Sequence, residues 1–240
     1  MDIFSYLLGK KAGGGGTANL QSKEVTITQN GETTIQADEG YDGLSSVSIT
    51  TNVPRGIPEY QELQYITSSK QQYIDTGVKA ANNIKIIFEA AYQSGGGALF
   101  GSSTSDDTAR YYVASINSSL SFFYTGAYIQ SDIYYTIRTS YEITSTETKM
   151  NNNIIGTYTI SEYPLGNIYI FGASTEDGTP LGLCNARLYS FKIYEGDTLI
   201  RDFIPVRVIG FGTICLYDKV EGKYYFNLGT GDFTAGEPVE

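Results

Sequence analysis

Apolar and polar residues alternate with a period of two along most of the chain. Ile84, Ile86 and Phe88 fall on one phase, and Lys85, Ile87 and Glu89 on the other. One side of this segment therefore faces a core and the other a mixed surface. Similar segments recur about every ten residues, separated by Gly, Asn and Ser. They predict strands over residues 63–67, 72–76, 84–92, 97–101, 110–116, 120–125, 133–143, 146–150, 154–159 and 167–171. From Ala186 to Phe233 the pattern becomes strand, turn, strand, repeated. Ala186–Tyr194 is rich in β-branched and aromatic residues, Glu195-Gly196-Asp197 turns the chain, and Thr198–Ile204 returns. Thr213–Tyr217 and Lys223–Phe226 form a second hairpin, and Gly229 and Gly231 end the run. The alternation slips once: Leu188 is out of phase with Phe191 and Ile193, which predicts a β-bulge. No segment predicts a long helix.

The amino-terminal quarter reads differently. Val25 and Ile27 alternate with Thr26 and Thr28, and Asn30-Gly31 favours the positive φ angles of a type I′ hairpin turn. Thr33–Gln36 is the return strand, Asp42-Gly43 a second turn, and Val47 and Ile49 alternate in the last strand. This predicts a three-stranded meander. Residues 52–58, NVPRGIP, form a stiff spacer, because a residue before proline is held extended. Residues 1–11, MDIFSYLLGKK, precede a flexible Gly13–Gly16 tether. Exposed Ile3, Phe4, Tyr6, Leu7 and Leu8 are a liability unless they dock, which makes this an anchor peptide. A disordered tail or an added strand are the competing readings. The resulting organisation is 1–19 anchor and tether, 20–53 small β module, 54–59 linker and 60–236 main domain.

Composition narrows the chemistry. With 27 Gly, 21 Tyr and no Trp, and 18% charged residues, the chain has the turn-dense profile of an all-β protein. The formal net charge is −10, without the Lys and Arg clusters that clamp phosphates, so nucleic acid is not an expected partner. No apolar window is long enough for a membrane-spanning helix, and no secretory signal is expected. The absence of histidine removes Ser-His and Cys-His nucleophiles and every His-ligated metal site. Cys184 and Cys215 lack metal-ligand spacing and read as small buried hydrophobes.

Candidate site residues are few. Glycoside cleavage needs two carboxylates across a cleft. Glu142 and Glu147 are five apart and read as facing opposite sides, and Glu195 and Asp197 sit in a turn, so no catalytic residue is expected. Asp106, Asp107, Glu176 and Asp177 are oxygen donors in turns without the fixed spacing of a dedicated calcium loop, and read as solvated tips. Tyr111, Tyr112, Phe122 to Tyr124, Tyr128, Tyr134 and Tyr135 supply rings for a glycan, with Tyr111, Tyr112, Tyr124 and Tyr128 as the binding candidates and core or subunit packing as the competing role. Consecutive tyrosines on a strand put one ring on each sheet face.

The quoted segments carry a resemblance. The Ala186–Phe233 run, with Leu63–Val78 (LQYITSSKQQYIDTGV) and Ala98–Gly101 (ALFG), resembles the LamG/concanavalin A-like jelly-roll domains of bacteriophage and prophage structural proteins, over residues 60 to 235. Residues 37–53, ADEGYDGLSSVSITTNV, resemble a module of phage tail and fibre proteins, and the first residues resemble phage virion termini that attach by a peptide. The resemblance implies a two-sheet jelly roll on a virion surface, and, since such domains hold calcium at loop tips, makes calcium the one cofactor considered, with Asp106, Asp107, Glu176 and Asp177 as its candidates. Residues 1–11 would hold it to a major capsid or tail protein, as a head fibre or capsid decoration, with host-surface glycan as a partner. A tail receptor-binding adhesin and a glycan-active enzyme are the alternatives. The small module has too little core to stand alone. A homotrimer is therefore expected, assembled through Val25, Ile27, Ile35, Val47 and Ile49 and released from the host by lysis.

Overall fold

The computed structural model describes residues 19–27, 37–41, 43–51, 59–116, 119–131 and 136–239. The chain divides into two compact units, 1–56 and 57–240. Among the described residues there is no helix, and none long and apolar enough to cross a membrane.

In the first unit, β1 (Leu20–Ile27) and β2 (Gly43–Thr51) pair side by side in parallel, with Val25 opposite Ile49 and Lys23 opposite Val47. This corrects the expected meander, in which a middle strand would separate these two. A parallel pair needs a crossover instead of a tight turn. Part of that crossover, residues 37–41, is tied to β1. Asp38 accepts from Gln21 and from Lys23 Nζ, both at 2.7 Å, and Asn19 donates to the Gly40 carbonyl at 3.2 Å. The Asn30-Gly31 turn, Ile35 and the anchor residues Ile3, Phe4, Tyr6, Leu7 and Leu8 lie outside the described residues.

The second unit opens with β3 (Tyr60–Glu62), β4 (Ile66–Thr67), β5 (Ile74–Lys79), β6 (Ile84–Ser94), β7 (Gly97–Ser103) and β8 (Arg110–Ile116). It continues with β9 (Ser119–Tyr124), β10 (Ala127–Ser131), β11 (Thr139–Ile143), β12 (Glu147–Met150), β13 (Asn153–Thr157), β14 (Asn167–Ile170), β15 (Ala173–Ser174) and β16 (Pro180–Leu181). It ends with β17 (Asn185–Glu195), β18 (Thr198–Val208), β19 (Ile214–Asp218), β20 (Lys223–Tyr225) and β21 (Thr234–Ala235). The smaller sheet runs β10-β9-β8-β7-β14-β5, with β15 and β16 attached. The larger runs β13-β12-β11-β6-β17-β18-β19-β20, with β3, β4 and β21 attached. Both main paths are antiparallel throughout. The protein is an all-β, two-sheet jelly-roll sandwich.

Aromatic rings join the sheets. Phe88 on β6 meets Phe100 on β7 edge to face at 5.0 Å, and Phe191 on β17 meets Phe100 at 5.2 Å. Each such pair adds about 0.5–1.5 kcal/mol beyond its burial. The alternation in β6 holds, with Ile84, Ile86 and Phe88 buried and the residues between them half-buried. The bulge in β17 is present too. Leu188 pairs with Ala90 and Ser190 with Glu89, so Tyr189 is the extra residue. The insertion keeps both Leu188 and Phe191 in the core. Cys184 and Cys215 are buried and unbonded.

Other boundaries shift. The strand expected over 133–143 starts at Thr139, and Ala127–Ser131 forms a separate strand, β10. The carboxyl end does not stop at Gly231. β21 pairs with β4, and Leu63 bridges Pro238. Both seams between the sheets are bridged by backbone bonds. At one, Ser161 donates its amide to the Thr125 carbonyl at 3.2 Å, and the Gly156 backbone lies against Ile129. At the other, Leu228 donates to the Tyr73 carbonyl and Thr230 to the Gln71 carbonyl, both at 2.9 Å.

Candidate functional site

The β8–β9–β10 meander sends its side chains alternately inward and outward. Tyr111, Val113, Leu120, Phe122 and Tyr124 point into the main core, whereas Tyr112 and Phe123 belong to a separate cluster with Ala98, Ala114 and Ala173. Tyr112 stands directly opposite Phe123, and Phe123 opposite Tyr128. Three rings therefore form one row across three strands. Tyr112 and Phe123 stack at 4.7 Å, and Phe123 and Tyr128 lie 5.1 Å apart. Phe123 is nearly buried between its neighbours, while Tyr128 is 52% exposed. The Tyr128 hydroxyl donates to Gln130 Oε1 at 3.1 Å and lies 3.2 Å from Ser121 Oγ.

Gly101 on β7 continues the row beside Tyr112. Its φ is +143°, and a Cβ there would collide with the Tyr111 carbonyl and Tyr112 Cβ. Only glycine leaves room for the Tyr112 backbone to approach. Tyr169 on β14 and Asp75 on β5 complete the row to the far edge of the sheet.

Of the four tyrosines proposed from sequence, Tyr112 and Tyr128 lie in this row. Tyr111 and Tyr124 are corrections. They are 1% and 3% exposed, their ring faces are covered by Tyr163 and Tyr158, and neither can meet a ligand. Burial raises both hydroxyls well above the ordinary tyrosine range. Tyr124 donates to or accepts from Thr148 Oγ1 at 3.1 Å. The Tyr111 hydroxyl has no hydrogen-bond partner among the described residues.

The acidic turns flank this end of the sheet. Glu176 reaches from its turn to accept the Ser105 amide at 3.0 Å and the Ser105 hydroxyl at 2.9 Å. Asp106 accepts the Thr108 hydroxyl at 2.7 Å, Asp107 pairs with Arg110 at 2.8 Å, and Asp177 accepts from Thr175 and Thr179. The sequence candidates for calcium are thus brought near one another, with each carboxylate engaged by hydroxyls, amides or a guanidinium. Among the described residues no three acidic or thiol side chains converge on one point.

Glu142 and Glu147 do not face opposite sides, as counting along one strand suggested. They lie on two strands of a hairpin, β11 and β12, and both hold Lys149 Nζ, at 2.9 and 2.8 Å. Those bonds raise the Lys149 ammonium well above the usual lysine range. The Lys149 cation thus bridges the two carboxylates.

Sequence reasoning counts Phe123 among the available rings but does not single it out as the middle of the row. Leu120 to Tyr124 is nearly all apolar or aromatic, so no polar phase marks which residues face out. The pairing with Tyr112 supplies the answer.

An all-β sandwich with an open aromatic row on its smaller sheet is the class of protein defined here. No family model matches the chain, and no curated protein matches it. Among solved structures, it is similar to a candidate carbohydrate-binding protein from Bacteroides ovatus ATCC 8483. The identity is 8% and the TM-score 0.49, covering 87% of this chain and 68% of that one.

Proposed function

We propose that the chain is a non-enzymatic surface protein of a bacteriophage particle that attaches to glycan through the Tyr112–Phe123–Tyr128 row. The row itself carries the reading. A partly exposed line of rings with the exposed Gln130 beside Tyr128 suits the apolar face of a sugar together with its hydroxyls. The shared Lys149 at Glu142 and Glu147 favours attachment over hydrolysis. The particle context rests on the sequence resemblance. Residues 1–11 would insert into a capsid or tail protein. Residues 20–53 would trimerise, since a two-stranded sheet is marginal on its own, and Val25, Ile27, Ile35, Val47 and Ile49 would be buried between copies.

Glycan-array binding by the full chain, repeated with Tyr128→Ala, tests the attachment. Unchanged binding by the variant refutes the row. Gold-labelled antibody against this chain, imaged on particles by electron microscopy, tests the location. Label on the head supports a capsid fibre or decoration, label at the tail tip makes the chain a receptor-binding adhesin, and no label removes the virion role.

A further inference from the structure

A groove of about 370 Å³ lies at the seam where β5, the edge of the smaller sheet, comes beside β20, the edge of the larger. Its floor is Arg201 of β18, whose side chain is 15% exposed. Nε donates to the Thr76 carbonyl at 3.2 Å, Nη1 to the Ile200 carbonyl at 2.7 Å, and Nη2 to Glu221 Oε1 at 2.8 Å. Behind it stands the fully buried Asp218, with Oδ2 3.6 Å from Nε. These bonds fix the guanidinium and occupy donors on all three of its nitrogens.

Two anchored carboxylates flank that floor. Glu221 Oε2 accepts the Tyr225 hydroxyl at 2.6 Å. Asp75 Oδ1 accepts the Gly77 amide at 2.8 Å, and Oδ2 the Asn167 side-chain amide at 3.1 Å. A carboxylate oxygen accepts two donors, so each of these four oxygens has capacity for one more. Gly77 has φ +69°, and a Cβ there would stand 3.8 Å from Arg201 Nη2. Glycine at this position leaves the floor uncovered. Rings supply the remaining wall. Lys223 Nζ lies 4.9 Å over Tyr225, and Phe226 is 49% exposed. Tyr224 continues the aromatic surface to Tyr217 at 5.1 Å, and Tyr217 to Tyr60 at 4.6 Å.

We infer that this groove is a second saccharide site, taking an uncharged sugar of one or two residues. Its volume is at the small end of ligand pockets, roughly 300–1,000 Å³. Fixed acceptors at the rim match hydroxyl donors, and the half-exposed ring of Phe226 matches an apolar C–H face. Anions fit poorly, because Asp75, Glu221 and Asp218 repel them and Arg201 is already engaged. A metal ion would have to displace the guanidinium that joins Glu221 to Asp218. The site shares none of the three rings Tyr112, Phe123 and Tyr128, although Asp75 at its rim is the far end of the same cross-strand row, and it stands or falls separately from them. Asp75 lies at the opposite edge of the same sheet from Tyr128, five strand spacings or roughly 24 Å away. One domain would thus hold a glycan surface at two points, raising its residence by avidity.

The test is a titration of the full-length, ¹⁵N-labelled chain with maltohexaose, cellohexaose and chitohexaose, and separately with inorganic phosphate and calcium chloride. At least one neutral hexasaccharide is expected to shift the backbone amides of residues 223–228. Phe226→Ala should weaken that response about tenfold, as should Asp75→Asn, while Tyr128→Ala leaves it unchanged. The inference is overturned if no saccharide shifts these amides, or if both groove variants respond like the parent. It is also overturned if only phosphate or calcium moves them. Shifts confined to residues 112–130 would support the aromatic row and eliminate the groove.

Discussion

Tyr112 and Phe123 face one another across β8 and β9 with ring centroids 4.7 Å apart and planes 27° from parallel. Phe123 supports the row from within, and Tyr128 presents it to solvent. The two positions should therefore separate binding from stability. Tyr128→Ala is expected to lower glycan affinity at least about fivefold and to leave the melting temperature nearly unchanged. Phe123→Ala is expected to destabilise the domain by about 3 kcal/mol. Calorimetric titration and thermal denaturation of both variants check this.

Tyr111 and Tyr124 predict opposite outcomes for the same substitution. Tyr111 buries a hydroxyl that no described residue satisfies, and such a group costs about 1–3 kcal/mol. Tyr111→Phe should therefore match or exceed the parent in stability. Tyr124→Phe gives up the Thr148 bond, leaves the threonine short of one partner, and should lose about 1 kcal/mol. Urea denaturation of the two variants distinguishes them.

Acid should weaken the acidic turns. The Thr108 hydroxyl lowers the Asp106 carboxyl, the backbone amide of its own residue, followed by Ser105, lowers Glu176, and the Thr175 hydroxyl lowers Asp177. Each is depressed in the folded state, so its contribution is complete above the unfolded carboxylate range. That contribution is lost as pH falls through the folded values. Stability should be flat from neutrality to about pH 5 and decline below it. A melting temperature that rises on acidification from pH 5 to pH 3 would contradict this.

Both thiols should be silent in the native protein. Burial pushes the Cys215 thiol up to about 12 and that of Cys184 higher still, and the thiolate is the reactive form. Ellman's reagent at pH 8 should label neither until denaturant is added, and then label two per chain. Fast labelling of the folded chain would show that one of them opens.

Much of the sandwich is legible in the sequence because its strands are long and cleanly alternating. β6 shows its buried face directly, and the slip at Leu188 reveals the Tyr189 bulge. What escaped depends on partners distant in sequence. β10 follows the Gly126 turn closely, and its alternation blends into the apolar residues after Ser131. β21 is two residues long and exists because β4 lies beside it. The direct pairing of β1 with β2 is invisible locally, since Asn30-Gly31 favours a hairpin by backbone preference alone. At the candidate site, Tyr112 and Tyr128 were recoverable from composition. Facing Glu142 and Glu147 correctly required knowing that two strands, not one, carry them.

The bridged seams bear on how this domain behaves in a crowd. An unpaired sheet edge is a template for a neighbour's strand and so for aggregation. Here the chain after β13 bonds back to Thr125 beside β9 and β10, and the chain after β20 bonds back to residues 71–73 just ahead of β5. The segments beside the outermost strands are thereby tied together, which leaves a shorter run of free edge to recruit a second molecule. Copies packed closely on one support would then meet more through the side chains they present outward than through strand pairing.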